Sequence, residues 1–452
     1  MTVAFWTLER VAAALGAGTN PAGQSPIRAV STDSRTISHG DIFVALKGES
    51  FDGHDHLAAA VERGASAVVV SQLPRIGSVN VPVYHVPDTL IALGQLAGYW
   101  RKAWGKPVVG VAGSNGKTST KDLLRAALGS RLAVHATSGN LNNRIGVPLT
   151  ILSIPRDSDI AVVELGTSLP GEVALLREIA APDIAVVTSV AEEHLEGLGD
   201  LAGVLREEAA AYDGVEVGIA PASQPEIVDA ARGRARSVVS AGLDDGDFKA
   251  RSWRLAADGK GEIDIDGVTV RSPLRGAHNL RNAMLALAVA RSCGVTMEDA
   301  ARGIAAMPQP KMRTAWEQIG PATVINDAYN SNPGSARAAI ELVRAADGSR
   351  QRVIVLGTMR ELGSGAAQCH VEIAHLALES GADVVAGIGD FAVALGESSG
   401  GPARVVTADD VEALWPQLEP LLKPDALILL KASRGVRLER LLPYLTTWAE
   451  KC

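Results

Sequence analysis

Two spacings of apolar residues alternate along this chain. Short continuous apolar runs bounded by turn residues read as strands: Asp41–Leu46, Ser66–Val70, Pro107–Ala112, and the cores of DIAVVELG (159–166) and PDIAVVTSV (182–190). Four more lie at Thr323–Asn326, Arg352–Leu356, Asp383–Ile388 and Ala426–Leu430. Continuous apolar runs, rather than alternating ones, are what strands buried on both faces of a parallel sheet require. Helical periodicity fills the gaps: MTVAFWTLERVAAAL, HLAAAVERGA, residues 89–104, a helix from about Thr118, and Asn279–Cys293. Residues 237–275 differ, with short strands and turns that suggest an antiparallel excursion. Strand and helix alternate throughout, which predicts an α/β protein. The 452 residues are expected to form three domains. A small α/β domain spans 1–105, a central doubly wound parallel sheet 106–308, and a C-terminal Rossmann-like α/β domain 309–452, with Gly105-Lys106-Pro107 as a linker.

Composition narrows the class. Apolar residues at 47% and charged residues at 21% exclude a disordered chain, a collagen and a coiled coil. Aromatics are only 4%, so the core must rest on Ala, Val, Leu and Ile. The 43 basic and 51 acidic residues leave a net charge of −8, which argues against nucleic acid as a partner. Cys293, Cys369 and Cys452 are too scattered for a disulfide framework or a zinc site, as expected in a reducing compartment. The amino terminus lacks a basic start, and no apolar run is long enough to span a bilayer. The expectation is a cytoplasmic enzyme, working as a monomer.

The strongest motif is GVAGSNGKTSTKDLL, residues 110–124. A buried strand ends in a Gly-rich turn and a helix begins. Such a turn lets backbone N–H groups approach a phosphate, and the helix N-terminus adds partial positive charge. Gly113, Ser114, Asn115, Gly116, Lys117, Thr118 and Ser119 form the expected cradle, with Lys117 reaching the β- and γ-phosphates and Thr118 offering its hydroxyl to Mg²⁺. Val111 stands where the strict Walker pattern has Gly, so the match is to the shorter G-x-x-G-K-T form. Glu164 ends DIAVVELG at the strand edge where doubly wound sheets bind ligands, and a carboxylate there suits magnesium. His194 follows the neighbouring strand as a further candidate ligand.

With these residues assembled, the chain resembles the Mur ligase family nearly end to end. The phosphate loop matches in GSNGKTS, and the family's asparagine loop in GNLNNRIGVPLTIL, with Asn140, Asn142 and Asn143. Its metal-binding glutamate and histidine match Glu164 and His194. The adenine signature matches GAHNLRNA through His278, Asn279 and Asn282. Arg313 and Asp327 match ribose contacts, DAYNSNPGS follows, and KASRG supplies Lys431, Ser433 and Arg434 on the substrate side. TDSRTISHGDIFVALKGESFDGHD resembles the family's uridine-nucleotide domain, with Ser34, Arg35, Asp52, Gly53 and His54 at the nucleotide end. HLEGLGD and GNLNNRIGVPLT resemble the branch that adds D-Ala-D-Ala. Three positions depart from the family: Thr358 stands for an aspartate, Ala432 for a glycine, and Glu208 for a carbamylated, metal-binding lysine.

The resemblance implies an ATP- and Mg²⁺-dependent amide ligase. The terminal carboxylate of UDP-MurNAc-tripeptide would take the γ-phosphoryl group as an acyl-phosphate, and the amine of D-Ala-D-Ala would displace the phosphate. Lys117, His194 and Glu208 are the implied catalytic set, and Thr118, Glu164, His194 and Glu208 the implied metal donors. Glu207, about 100° around the helix from Glu208, is expected to matter much less to activity. A different amino-acid ligase of the same superfamily is the nearest alternative; a P-loop ATPase without a peptide acceptor and a nucleotide-sugar binder that has lost catalysis are the other classes open to this sequence.

Overall fold

The computed structural model describes residues 5–16, 25–73, 79–256, 258–308, 312–346, 350–397 and 402–452. Residues 1–4 of the first predicted helix and Ala257 of the predicted excursion lie outside that set. The chain gathers into two compact units. One comprises Met1–Gly110, Ala133–Gly166 and Ala174–Asp183; the other comprises Val111–Leu132, Thr167–Val173 and Ile184–Cys452.

In the amino-terminal segment, β1 (Trp6–Thr7) leads into α1 (Leu8–Leu15) and pairs antiparallel with β2 (Pro26–Ile27). Four short strands follow in the parallel order β3 (Val30–Ser31), β4 (Ile42–Val44), β5 (Ala67–Val70), β6 (Val83–His85). Between β4 and β5, α2 (Leu57–Glu62) buries Leu57 and Ala60 against Phe43, Val68 and Val70. The sixteen-residue α3 (Thr89–Trp104) starts where Asp88 accepts the Leu90 and Ile91 N–H groups. It stops at Gly105, whose φ of 69° breaks the helix at no steric cost. The Arg101 side chain, 9% exposed, donates to the Ala180 and Ala181 carbonyls and to Asp183, each at 2.9 Å. Asp183 also accepts the Val108 N–H at 2.8 Å. The stretch read as a linker is therefore bracketed by an ion pair inside the first unit, its arginine buried and its aspartate half-exposed.

Next come β7 (Val108–Ala112), α4 (Lys117–Gly129), β8 (Val134–Ala136), α5 (Gly146–Leu152), β9 (Ile160–Glu164), α6 (Glu172–Ala180) and β10 (Ile184–Val187). They are followed by α7 (Leu195–Leu198), α8 (Leu201–Ala209), β11 (Val217–Pro221), α9 (Pro225–Arg232), β12 (Ser237–Gly242) and β13 (Phe248–Lys249). In the first unit β8 and β9 pair in parallel; in the second, β10, β11, β12 and β13 do so in that order. Every residue of β9 and β10 is buried, which accounts for their unbroken apolar runs.

The antiparallel excursion is shorter than expected. Only β14 (Ser252–Leu255), β15 (Lys260–Ile265) and β16 (Val268–Arg275) form an antiparallel meander. Residues 237–249 instead extend the parallel sheet, because α9 and α10 (Ala277–Ser292) pack on β12. In β15 alternate residues are buried, the mark of a sheet with one wet face. Helix α11 (Met297–Ala305) closes this segment.

The carboxy-terminal sheet runs β17 (Ala315–Ile319), β18 (Ala322–Asp327), β22 (Leu427–Lys431), β19 (Arg352–Gly357), β20 (Val384–Ile388), β21 (Arg404–Ala408), with only the β17 edge antiparallel. Both faces are covered. Val353, Val355, Ile428 and Leu430 pack towards α15 (Val411–Leu418) and α16 (Leu441–Ala449). Ile354, Leu356, Leu427 and Leu429 pack towards α12 (Pro333–Arg344), α13 (Ala366–Leu378) and α14 (Asp390–Glu397). Successive side chains serve opposite cores, as a two-residue period demands. The edge strands β17 and β21 were not predicted; their polar, partly exposed residues weaken the apolar signal.

Candidate active site

The Gly-rich loop runs from β7 into the N-terminus of α4, one residue earlier than expected. Gly113 has φ 118°, and a Cβ there would lie 2.4 Å from Thr188 Oγ1 and 2.7 Å from the Thr188 nitrogen. Gly116 has φ 86°, and its Cβ would meet the Asn282 amide at 2.8 Å. Both glycines are thus required by conformation and by close approach. The segment after β10 holds the loop in shape. The Ser189 carbonyl accepts Ser114 N–H at 2.8 Å, and Ser189 Oγ accepts Asn115 N–H at 3.0 Å. The Asn115 carbonyl accepts from Thr188 Oγ1 at 2.7 Å, and Ser114 Oγ accepts Ala191 N–H at 2.9 Å.

Lys117 opens α4, with Thr118 and Ser119 half-buried in its first turn. The Lys117 ammonium donates to the Gly113 carbonyl, to the Ser114 carbonyl at 3.2 Å, and to Glu193 at 3.4 Å. Glu193, side chain 5% exposed, is a partner the sequence reading missed. Its adjacency to His194 was the available signal.

Glu208 lies on α8, 1% exposed, and accepts the Gly113 N–H at 2.6 Å. Burial pushes its carboxyl up to about 7; the nearby Lys117 charge and the Gly113 N–H pull it down, while Glu193 and Glu207 push it up. Glu207 is no idle neighbour. It is 7% exposed and accepts the Gly171 and Val173 N–H groups, each at 2.7 Å, and the Thr167 hydroxyl at 3.2 Å. Its carboxylate thus pins the loop that enters α6. His194 takes a left-handed φ of 53° and pairs through Nδ1 with Glu361, whose φ is 65°. Among the described residues no group of three His, Cys, Asp or Glu side chains gathers as metal donors.

Glu164, 2% exposed at the end of β9, accepts from Asn142 Nδ2 at 2.9 Å, and its own N–H donates to Thr137 Oγ1. The expected metal carboxylate and the asparagine loop therefore meet inside the first unit. Asn143 Oδ1 accepts the Ile145 and Gly146 N–H groups where the chain enters α5, and Asn140 is exposed. In the amino-terminal segment Arg35 grips Asp33 with two bonds of 2.8 and 2.9 Å and holds its carboxyl down at about 2. Ser34 lies half-buried beside them. Asp52 binds His54 Nδ1 at 2.6 Å, and His54 Nε2 accepts the Ser71 N–H at 3.0 Å. Gly53 is packed so tightly that a Cβ would sit 2.8 Å from the Leu46 carbonyl oxygen.

The adenine-signature residues open α10, which packs on α4. Asn279 Nδ2 lies 3.1 Å from His278 Nε2 and Asn282 Nδ2 3.3 Å from Asn279 Oδ1. Burial pushes His278 down to about 4, so it is a neutral imidazole at pH 7. Arg313 lies over the Tyr329 ring at 4.2 Å. Asp327 ends β18, accepts the Thr314 N–H at 2.9 Å, and pairs with Lys431 at 2.7 Å. Lys431 is 2% exposed and also donates to the Asn330 carbonyl at 2.6 Å. Ser433 donates to the Ser331 carbonyl at 3.3 Å and accepts the Arg360 N–H. Lys431 and Ser433 thus face the DAYNSNPGS loop, while the Arg434 guanidinium is exposed beside Glu439. Thr358, at the family's aspartate position, accepts the Asp390 N–H at 3.0 Å and so caps α14.

Comparison with known proteins agrees with this geometry segment by segment. Residues 26–101 match the Mur ligase family, catalytic domain; residues 111–290 the Mur ligase middle domain; and residues 312–434 the Mur ligase, glutamate ligase domain. The Bacillus subtilis UDP-N-acetylmuramoyl-tripeptide--D-alanyl-D-alanine ligase is 35% identical over 430 residues, covering 92% of this chain and 93% of that protein. The crystal structure of MurF from Acinetobacter baumannii superposes with a TM-score of 0.89 at 31% identity, covering 98% and 99% of the two chains. MurF ligase from Thermotoga maritima in complex with ADP gives 0.83 at 27% identity, covering 94% and 98%. With a phosphate loop so built, and family matches reaching from residue 26 to residue 434, the chain belongs to the Mur ligase family.

Proposed function

We propose that this protein is the ATP-dependent ligase that joins D-Ala-D-Ala to UDP-MurNAc-tripeptide. One observation carries the reading. Lys117 stands at the head of α4, beneath a loop whose glycines admit no side chain, in a chain that matches ligases of that name over more than nine-tenths of its length. The three matched segments support a division into a uridine-nucleotide domain (1–105), an ATP-binding domain (106–308) and a C-terminal ligase domain (309–452).

In the reaction the tripeptide carboxylate takes the γ-phosphoryl group, ADP leaves, and the dipeptide amine attacks the acyl carbon and expels phosphate. The protein's task is positioning and charge neutralisation, since carboxylate and polyphosphate repel. Lys117 brings its charge to the phosphates by leaving the Gly113 and Ser114 carbonyls and Glu193. Asn142 keeps Glu164 oriented by donating to one of its oxygens. His278, neutral at pH 7, and Asn282 against Gly116 line the nucleotide end. Ser34, Arg35, Asp52, Gly53 and His54 serve the uridine end.

The donor chemistry fits magnesium. Hard oxygen donors are present in both units, the Glu164 carboxylate in the first and the Thr118 hydroxyl and Glu208 carboxylate in the second, with His194 as a nitrogen donor. Magnesium held by donors of this kind would offset charge accumulating on the transferring phosphoryl group. Glu208 presents a carboxylate directly, so no carbamate is needed. Phosphate release should require ATP and both acceptor substrates together, and should be the same in CO₂-depleted buffer and with bicarbonate. Equal release with ATP alone would refute the ligase reading, and bicarbonate dependence would assign the anion to another residue.

A further inference from the structure

Asn332 lies in the loop between β18 and α12, is 2% exposed, and uses one amide in three directions. Its Oδ1 accepts the Ser335 N–H at 2.8 Å, and its backbone N–H donates to Ser335 Oγ at 3.0 Å; together these form a capping box for α12. Its Nδ2 donates to Asn115 Oδ1 at 2.9 Å and to Glu193 Oε2 at 3.1 Å. The amide orientation follows from the partners: turned over, it would set NH₂ against the Ser335 N–H and oxygen against a carboxylate. The other oxygen of Glu193 accepts from Lys117. A continuous polar path therefore runs from the cap of α12 to the phosphate-loop lysine.

The path is braced at both ends. Lys431 holds the Asn330 carbonyl and Ser433 holds the Ser331 carbonyl. At the other end α12 rests on the loop: a Cβ at Gly334 would stand 3.3 Å from Asn115 Nδ2 and 3.4 Å from Ala191 Cβ.

We propose that Asn332 is a positioning residue for nucleotide binding: its amide holds Asn115 and Glu193, so that the phosphate loop is set from the N-terminus of α12. Capping needs only Oδ1; Nδ2 is directed at the carboxylate that competes with phosphate for Lys117. Without that donor, the buried Glu193 carboxylate loses a hydrogen bond and leans on Lys117 more strongly. Nucleotide then has a stronger competitor to displace, and Asn115 is released.

The inference rests on the reading of the loop as an ATP site, and the two can fail separately. The probe is a non-hydrolysable ATP analogue with magnesium, titrated calorimetrically into the full-length protein, with thermal melting alongside. Asn332→Asp keeps an oxygen for capping, where Asp serves as well as Asn, but removes the donor and sets charge against Glu193. Its affinity for the analogue should fall about tenfold or more in a protein that stays folded by circular dichroism though it melts lower, and in turnover KM for ATP should rise more than kcat falls. Asn332→Asp combined with Glu193→Gln exchanges donor and acceptor, and should recover affinity to within about threefold of wild type, a non-additive result against the two single variants. Wild-type affinity in Asn332→Asp, or no recovery in a folded double variant, overturns the inference. If Asn332→Asp alone does not fold, the double variant decides. Failure of the wild type to bind the analogue overturns the ATP-site reading itself.

Discussion

Glu207 and Glu208 show how much one helix step changes. Both are buried, yet Glu207 satisfies two backbone N–H groups and a hydroxyl at the entry to α6, while Glu208 reaches the phosphate loop. Glu207→Ala leaves those N–H groups without an acceptor and should cost about 2–4 kcal/mol in urea unfolding. Arg206→Ala, on the exposed face of α8, should change stability by no more than about 0.5 kcal/mol. Glu208 carries a pH signature. Its folded-state value of about 7 lies above the ordinary 4.5, so its contribution to stability is fully present below 4.5 and is lost as pH rises through 7. Glu208→Gln cannot ionise and keeps an acceptor for Gly113. In metal-free buffer it should melt higher than wild type at pH 8, by the equivalent of on the order of 3 kcal/mol, with the gap closing towards pH 5. A gap constant with pH would show that Glu208 titrates alike in the folded and unfolded chain, so that burial does not raise it.

At the scale of elements, the turn between β7 and α4 depends on one backbone conformation. Gly113→Ala forces a left-handed φ on alanine and drives a methyl into Thr188, so the loop must shift. We expect a loss of about 2–4 kcal/mol in stability together with loss of nucleotide-analogue binding, read by urea unfolding and calorimetry. Full analogue affinity in this variant would mean that the loop does not hold the phosphates. Further along, α12 is both a layer of the carboxy-terminal core and, through Asn332 and Gly334, a support for the phosphate loop. An element placed by its apolar face thereby acquires a polar duty at its capped end.

For the whole molecule, nucleotide binding is a statement about stability. A ligand that binds only the folded chain adds about 2.7 kcal/mol at one hundred times its Kd. The loop, its lysine and the adenine-signature residues all belong to the second unit. The ATP analogue with magnesium should raise the melting temperature of wild type, and should do so much less for Lys117→Ala, whose side chain supports phosphate rather than a core. The unliganded Lys117→Ala protein should itself melt lower, because the buried Glu193 carboxylate loses its cation, so the comparison is between the two ligand-induced shifts. Equal ligand shifts in the two proteins would remove Lys117 from the phosphate site.

Local chemistry made much of this legible before any coordinates. Continuous apolar runs marked the buried parallel strands, because a strand covered on both faces has no polar side to show. The spacing of Gly113, Gly116 and Lys117 marked the phosphate loop, because close backbone approach and a reaching cation need those residues in that order. Gly105 marked the end of α3 for a similar local reason, while the Asp88 cap emerged only with the structure. Contacts between distant segments were beyond reach. The edge strands β17 and β21 carry polar residues and depend on their neighbours for pairing. Residues 237–249 join a parallel sheet because helices cover them, which no window of sequence contains. Lys431 reads as substrate-facing from its place after a strand, but its pairing with Asp327 and the Asn330 carbonyl was not legible there. Glu193 and Asn332, 139 positions apart, meet only because the fold carries α12 to the phosphate loop. Sequence by itself determined which residues could form strands, caps and a phosphate cradle, since those depend on near neighbours. Tertiary structure alone decided which buried carboxylate takes which partner, since that depends on where the chain returns.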